Sequence, residues 1–184
     1  RGDEELTEKS TSGEGFLPDV CTEWEAAAEA VEDAGIRTVY LRTGIVLTAT
    51  GGALGKMLLP FKLGAGGPMG GGKQWMSWVS LDDQIYAIHH LVMNEDSSGA
   101  YNVTAPNPER QKNFARTLGR VLRRPAFVPL PGLVIRMIFG EMGEKLTLES
   151  QRVLPIRLQK AGYDFVHEDL ESALRDSLGM WRSI

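Results

Sequence analysis

The chain has a single cysteine, Cys21, among 184 residues. That excludes an internal disulfide and suits a reducing compartment. Histidine is scarce as well: His89, His90 and His167 are the three. His89 and His90 are neighbours on a predicted helix and point in different directions. No Cys or further His stands at a ligand spacing from them, so no metal site is expected. No apolar run approaches the roughly 20 residues of a membrane-spanning helix. The longest, Leu133 to Phe139, is broken by Arg136 and stopped by Gly140. An excess of positive charge is missing too, since 20 Lys and Arg face 24 Asp and Glu, a net charge of −4. Nucleic acid therefore has no long-range reason to bind, and a small molecule or another protein is the expected partner. Finally, Arg1-Gly2-Asp3-Glu4-Glu5 carries neither an initiator methionine nor a sorting signal. The chain is expected to be a cut or processed piece of a longer one.

What is present suits a packed α/β protein. Hydrophobic residues make up 42% and charged residues 24%, enough for a core and a polar surface in a single ordinary domain or a small bipartite fold. After an acidic opening loop, Pro18 suits the first turn of a helix carrying Val20, Trp24, Ala27, Ala28 and Val31, closed by Gly35. The β-branched run 37–47 is apolar on both faces, the pattern of a buried parallel strand, with Val20, Trp24 and Val31 expected to pack the preceding helix on its sheet. Gly51-Gly52 leads into a helix with Leu54, Met57, Leu58, Phe61 and Leu63. A glycine-rich turn spans Gly64 to Gly72, and Gln74 to Val79 reads as extended. Ser80-Leu81-Asp82-Asp83 is a capping box opening a helix with Ile85, Ile88, Leu91 and Val92 on one face. Ala100 to Thr104 is a further strand, Gln111 to Leu122 a helix, and Phe127-Val128-Pro129 extended. Pro131 to Leu158 reads as mainly helical, Tyr163 to Phe165 as a short strand, and the last helix holds Leu170, Ala173, Leu174 and Leu178. A parallel strand buried on both faces needs neighbours on both sides. Few follow 37–47, so its missing partners are expected upstream of Arg1.

Few motifs carry chemistry. Gly67-Pro68-Met69-Gly70-Gly71-Gly72-Lys73 matches the start of a phosphate-binding loop, but Gln74 replaces the required Ser or Thr and no helix follows. It is read as a flexible turn. A Ser80–His–Asp83 triad is discounted, because both end members are used by the capping box and no nucleophile elbow exists. Trp75 and Trp78, after a glycine-rich turn, read as core or as walls of a substrate cleft. Ligands in open α/β sheets lie beyond the carboxyl ends of strands, which points to Thr43, Gly44, Ile45 and Val46. Gly44 would admit a ligand or another backbone at close range, or form a bulge.

A family resemblance rests on an ordered series of motifs: Cys21-Thr22-Glu23-Trp24-Glu25-Ala26-Ala27, Leu41-Arg42-Thr43-Gly44-Ile45-Val46-Leu47, Gly51-Gly52-Ala53-Leu54, Leu59-Pro60-Phe61, Gly66-Gly67-Pro68, Gln74-Trp75, Trp78-Val79-Ser80-Leu81-Asp82-Asp83, Tyr101 to Pro108 and Gln151-Arg152-Val153-Leu154-Pro155. The series resembles the atypical extended short-chain dehydrogenase/reductases known as epimerase family proteins, a cell-division-inhibitor-like group ending in a domain of unknown function. The resemblance runs from about Gly2 to Leu178.

It implies the C-terminal part of a Rossmann-type doubly wound parallel sheet plus a small, mainly helical C-terminal domain. Residues 1–104 would belong to the NADP-binding part, with 48–79 as an inserted substrate-side segment, and 105–184 would form the small domain. The implied cofactor is NADP(H), and Val46, beside Thr43, Gly44 and Ile45, would face its nicotinamide half. The family's Gly-x-x-Gly-x-x-Gly turn lies upstream of Arg1, so the cofactor would need that missing half. Related epimerases use Tyr-x-x-x-Lys on the helix at Pro18, but those positions here are Leu17 and Cys21, which cannot do that work. No catalytic residue is therefore assigned. The first reading is an NADP(H)-binding oxidoreductase-like or epimerase-like protein of unknown substrate. The alternative is a non-catalytic scaffold or subunit of a larger assembly, with a protein partner over the exposed sheet edge. Cytoplasm or chloroplast stroma would suit either.

Overall fold

The β-branched run 37–47 becomes two short strands in succession, not one. In this computed structural model, which describes residues 1–130, 135, 137, 140 and 148–180, the opening segment supplies β1 (Glu5–Leu6), α1 (Phe16–Ala27) and α2 (Glu29–Asp33). The run then gives β2 (Val39–Thr43) and β3 (Ile45–Leu47). Next come α3 (Gly52–Lys62), β4 (Trp75–Met76), β5 (Trp78–Ser80) and α4 (Leu81–Met93). They are followed by β6 (Gly99–Val103), β7 (Glu109–Arg110) and α5 (Gln111–Leu122). Beyond 148 lie β8 (Arg152–Val153), α6 (Ile156–Lys160) and α7 (Leu170–Ser177).

The strands pair two by two. β2 runs parallel to β6, β3 parallel to β5 and β1 parallel to β8, while β4 and β7 are antiparallel. The run is parallel, as expected, but it is not buried on both faces: Leu41, Arg42 and Thr43 are exposed and only Leu47 is buried. Among the described residues no strand pairs with β2 on the side away from β6. The downstream strands do not close both of its edges.

Among the described residues two apolar clusters hold these elements. The larger joins Leu54, Met57, Leu58 and Phe61 of α3 to Phe114, Ala115, Leu118 and Val121 of α5, and to Leu170, Ala173 and Leu174 of α7. The smaller joins Val79, Ala87, Leu91, Tyr101 and Val103 to Leu158 and Tyr163. The glycine-rich segment is packed, not a flexible turn. A Cβ on Gly66 would lie 2.4 Å from the Phe61 ring, and one on Gly67 would lie 2.1 Å from the Val128 carbonyl oxygen. These glycines let the chain press against a side chain and another backbone.

Several expectations are corrected. No residue of α1 is buried, and Trp24 is 74% exposed. Val31 is exposed and Val20 only half-buried, so the helix does not pack through that stripe. On α4 the buried positions are Asp83, Ala87 and Leu91, while Ile85, Ile88 and Val92 face outward. Both apolar rows obey helical periodicity, but Trp24 and Val31 of the first and Ile85, Ile88 and Val92 of the second stay exposed among the described residues. Leu63 is exposed beyond the end of α3. Residues 163–165 are not a strand. Phe127 to Pro129 runs beside the glycine-rich segment, with the N–H groups of Val128 and Leu130 donating to the Gly66 and Pro68 carbonyls at 3.3 and 2.8 Å. The helix expected from Pro131 lies mostly outside the described residues.

The helix ends follow the sequence more closely. Ser80 caps α4: its hydroxyl accepts the Asp83 N–H at 2.9 Å and donates to Asp83 Oδ2 at 2.7 Å. The carboxylate does more than close a box. Asp83 is fully buried, and accepts the Tyr163 hydroxyl at 2.9 Å, the Val166 N–H at 2.8 Å and the His167 N–H at 3.0 Å. Burial, then the hydrogen bond to Asp83, pushes the Tyr163 phenol far above its ordinary range. The irregular segment 163–167 is shaped by that carboxylate in place of a sheet ladder. At the other end of α4, the Arg37 guanidinium donates to the carbonyls of Leu91, Val92 and Ser97 at 2.9–3.1 Å, satisfying acceptors that a helix end leaves open.

Replacing Asp83 by Ala leaves the backbone N–H groups of Val166 and His167 without their acceptor and the Tyr163 hydroxyl with only the Asp83 carbonyl at 3.2 Å, and a buried group without a partner costs about 1–3 kcal/mol. Ser80→Ala, which removes the cap and one donor to the Asp83 carboxylate, is expected to cost less, about 1–2 kcal/mol. Denaturant titration of both variants checks this ordering, and equal losses would contradict it.

Candidate functional site

The strand at 37–47 changes partner in its middle. Gly44 N–H donates to the Val103 carbonyl at 3.1 Å, still on the β6 side. One residue later Ile45 N–H donates to the Ser77 carbonyl at 2.8 Å, on the β5 side. Across the fork, Ala105 N–H closes onto the Trp78 carbonyl at 2.6 Å. A Cβ at Gly44 would stand 2.8 Å from the Ser77 carbonyl oxygen and 2.9 Å from Thr104 Cγ2. The close approach at Gly44 is therefore taken by another backbone.

Of the four residues at this strand end, Thr43 is exposed and Gly44, Ile45 and Val46 are half-buried. Thr43 Oγ1 lies 3.4 Å from Gln84 Nε2 on α4. Ile45 packs against the larger cluster and Val46 against the smaller one. The side chains left open at the carboxyl end of β2 are thus Thr43 and, in part, Val46.

A row of polar groups ties the other side of the fork to the segment 151–154. Ser77 Oγ donates to the Gln151 carbonyl and accepts the Val153 N–H, both at 2.8 Å. Asn102 Nδ2 donates to the Leu154 carbonyl at 3.0 Å. Glu8 Oε1 accepts the backbone N–H groups of Asn102 at 3.2 Å and Arg157 at 3.1 Å. These contacts span up to 149 positions of sequence, and no local spacing signals them.

Trp75 and Trp78 have different surroundings. Trp78 is fully buried and its Nε1 donates to the Asn107 carbonyl at 3.1 Å, so it is a core residue with no face for a ligand. Trp75 is half-buried. The guanidinium carbons of Arg110 and Arg152 lie 4.2 and 4.7 Å from its ring centroid, within cation–π reach. Its Nε1 donates to Asp3 at 3.0 Å, and Arg110 pairs with the same carboxylate at 2.6 Å. Those two donors, Trp75 first, hold the Asp3 carboxyl below the usual carboxylate range. Arg152 in turn pairs with Glu5 at 3.0 Å. Asp3, Arg110 and Arg152 were not legible as site residues, because only folding brings positions 3, 75, 110 and 152 together.

On α1, Leu17 is half-buried and Cys21 is exposed. Neither side chain can relay a proton in the manner of a Tyr–Lys pair. The helix is instead tied to β2 by charge. Arg42 Nε and Nη2 donate to the two carboxylate oxygens of Glu25 at 2.7 and 2.6 Å. That bidentate pair holds the Glu25 carboxyl below the usual range, against an opposing effect of burial. The glycine-rich segment is filled by Phe61 and Val128, so it offers no cradle for phosphates. Groups able to hold a metal stand elsewhere, at Asp82, His167 and Asp176.

Comparison with known proteins places this geometry. Residues 130–177 match a family model described as a domain of unknown function, DUF1731. An epimerase family protein of Staphylococcus aureus is 43% identical over 161 residues, which are 88% of this chain and 53% of that protein. The chloroplastic homologue of epimerase family protein SDR39U1 from Arabidopsis thaliana is 41% identical over 169 residues, 91% of this chain and 48% of that protein. The crystal structure of human epimerase family protein SDR39U1 with NADPH superposes with a TM-score of 0.90 at 37% identity, over 97% of this chain and 61% of that one. The chain spans about half the length of the curated relatives it matches.

Two outcomes check this geometry. Gly44→Ala has no room at the fork and is expected to destabilise by about 1–3 kcal/mol through overpacking, against a near-neutral change at the open Gly71. The Glu25–Arg42 pair should contribute roughly 0.2–1 kcal/mol, as partly exposed pairs do. Because the folded-state value for Glu25 is depressed, this contribution is present above the ordinary Glu value near 4.3. It is lost as pH falls through the folded value. Melting curves of Glu25→Gln against the parent should therefore differ at neutral pH and converge in acid.

Proposed function

We propose, for a chain that belongs to the epimerase family of atypical extended short-chain dehydrogenase/reductases, the role of the substrate-side and C-terminal part of an NADP(H)-binding, epimerase-like or oxidoreductase-like protein. The Rossmann-type α/β fold it shares with its structural relatives has nucleotide sites at strand carboxyl ends. The observation that carries the reading is the edge of β2 away from β6, unpaired among the described residues. Alongside it stand the outward apolar rows of α1 and α4. A strand with one free edge and uncovered helix faces is the surface on which a nucleotide-binding half would complete the sheet.

In this reading residues 1–104 belong to the nucleotide-binding unit, with 48–79 on the substrate side, and 105–184 form the small domain. The NADPH named with the human relative supports the choice of cofactor. In this reading the residues at the end of β2 would face the nicotinamide half of the cofactor. Thr43 offers an exposed hydroxyl and Val46 a partly open apolar surface, while Gly44 provides the tight fork and Ile45 anchors it to the core. The cofactor would supply hydride transfer, and its pyrophosphate would be held by amides outside this chain. Trp75, flanked by Arg110 and Arg152, is the remaining candidate for the substrate cleft. Location in the cytoplasm or, as the name of the Arabidopsis relative suggests, a chloroplast belongs to the same proposal.

A second reading has its own support. Leu17 and Cys21 occupy the positions where related epimerases carry Tyr and Lys, which favours a non-catalytic subunit that kept the fold and binds a protein partner along the open edge.

Titration of NADPH fluorescence separates these readings. The 184-residue chain is expected to bind weakly, and the same chain preceded by a nucleotide-binding half tightly. Tight binding by the short chain would place the nucleotide site elsewhere. No binding by either would leave the scaffold reading.

A further inference from the structure

We propose that Asp82, His167 and Asp176 form a site for a first-row divalent cation of the Zn²⁺ type, stapling the C-terminal segment to α4. The three side chains come from separate elements. Asp82 lies in the first turn of α4, His167 in the irregular segment before α7, and Asp176 in the last turn of α7. Their ligand atoms all lie within 4.8 Å of one another.

The histidine is what makes this more than a pair of surface carboxylates. Its side chain is only 6% exposed. Its backbone is fixed by the N–H donated to Asp83 at 3.0 Å. Its Nδ1 lies 3.2 Å from Ser172 Oγ, and that hydroxyl donates to the Asp169 carbonyl at 3.1 Å. A hydroxyl has one proton to give; when Ser172 gives it to the Asp169 carbonyl, the same oxygen can accept from the imidazole Nδ1–H. Nε2 then presents a lone pair to the carboxylates. No donor among the described residues hydrogen-bonds to it, and its nearest charged partner is Asp176 Oδ2 at 3.5 Å.

That separation is informative. It is longer than the ~2.7–2.9 Å of a charge-assisted hydrogen bond. It is close to the ~3.4 Å between two ligand atoms that each sit about 2.0–2.2 Å from a tetrahedral Zn²⁺, whereas Asp82, within 4.8 Å of both, would draw in on binding. One nitrogen and two carboxylate oxygens form a borderline-to-hard donor set carrying two negative charges, which suits Zn²⁺. The Nδ1–H to Ser172 contact is the outer hydrogen bond that orients a metal-binding imidazole. Water would complete the coordination. The ion would join α4 to α7 in a structural capacity independent of NADP(H).

The test uses purified protein stripped with a chelator. Calorimetry with Zn²⁺ alone should give one ion per chain, and the melting temperature should rise with added Zn²⁺. Co²⁺ should give visible absorption bands of a nitrogen-ligated site. Because His167→Gln alters a buried residue, Asp82→Asn and Asp176→Asn carry the argument. Each should cut Zn²⁺ affinity at least tenfold while melting like the parent when metal-free. Ser172→Ala should weaken binding by roughly 10–100-fold, the usual effect of losing an outer partner. An absence of Zn²⁺ binding would overturn the proposal. Binding undiminished in both Asp variants would overturn it too.

Discussion

One buried carboxylate sets the terms for the C-terminal half of the described structure. Asp83 has no contact with water, so its charge must be met by hydrogen bonds or the residue could not sit there. It is met by the Ser80 hydroxyl at the start of its own helix and by three donors some eighty positions later, Tyr163, Val166 and His167. The constraint is mutual. Residues 163–167 have no sheet or helix to satisfy their backbone, and the carboxylate replaces that ladder. Tyr163 then packs edge-on against His90 and Phe165, and α7 follows with its own cap, Asp169, whose carboxylate accepts the Ser172 N–H at 2.9 Å. Apolar burial fills the clusters around this arrangement, but the geometry of the turn is electrostatic.

The capping box, the helix over Gln111 to Leu122 and the parallel character of the 37–47 run were legible because each is set locally. Ser80 and Asp83 are three positions apart, and periodicity needs only a window of the chain. The burial of α1 was misread for a physical reason. A stripe such as Val20, Trp24 and Val31 says which side of a helix is apolar, not whether anything lies on it. Phe61 explains another miss. Without knowing that its ring sits against Gly66, a run of glycines reads as freedom when it is contact. Residues 163–165 looked like a strand because Tyr and Phe favour strands, yet side-chain acceptors overrode that preference.

The candidate site was half legible. Thr43 to Val46 stood out because strand ends beyond a buried run are where α/β sheets bind ligands. What surrounds them was not, since Glu8, Ser77, Thr104 and Val153 converge only through folding. Trp75 and Trp78 stand three positions apart in the same short stretch, yet they end in different environments. Strand alternation and a one-residue break between β4 and β5 put the second indole in the core and the first beside two guanidinium groups. His167 illustrates the same limit. Its partners Asp82 and Asp176 carry no local signature of a shared site.

The fork at Gly44 has a mechanical consequence. β2 and β3 are one backbone, yet each half is hydrogen-bonded to a different neighbour, β6 before the glycine and β5 after it. The two sheets are therefore joined in series by a residue with no side chain to brace the joint. A load applied along the strand from the β6 side reaches the β5 side through the covalent chain and the bonds from Gly44 and Ile45. Stiffness at that point comes from Ser77 and Thr104 pressing on the glycine, not from the strand itself. The joint acts as a hinge pin held by its bearings: tilting one sheet against the other means prying those two residues away from the glycine first.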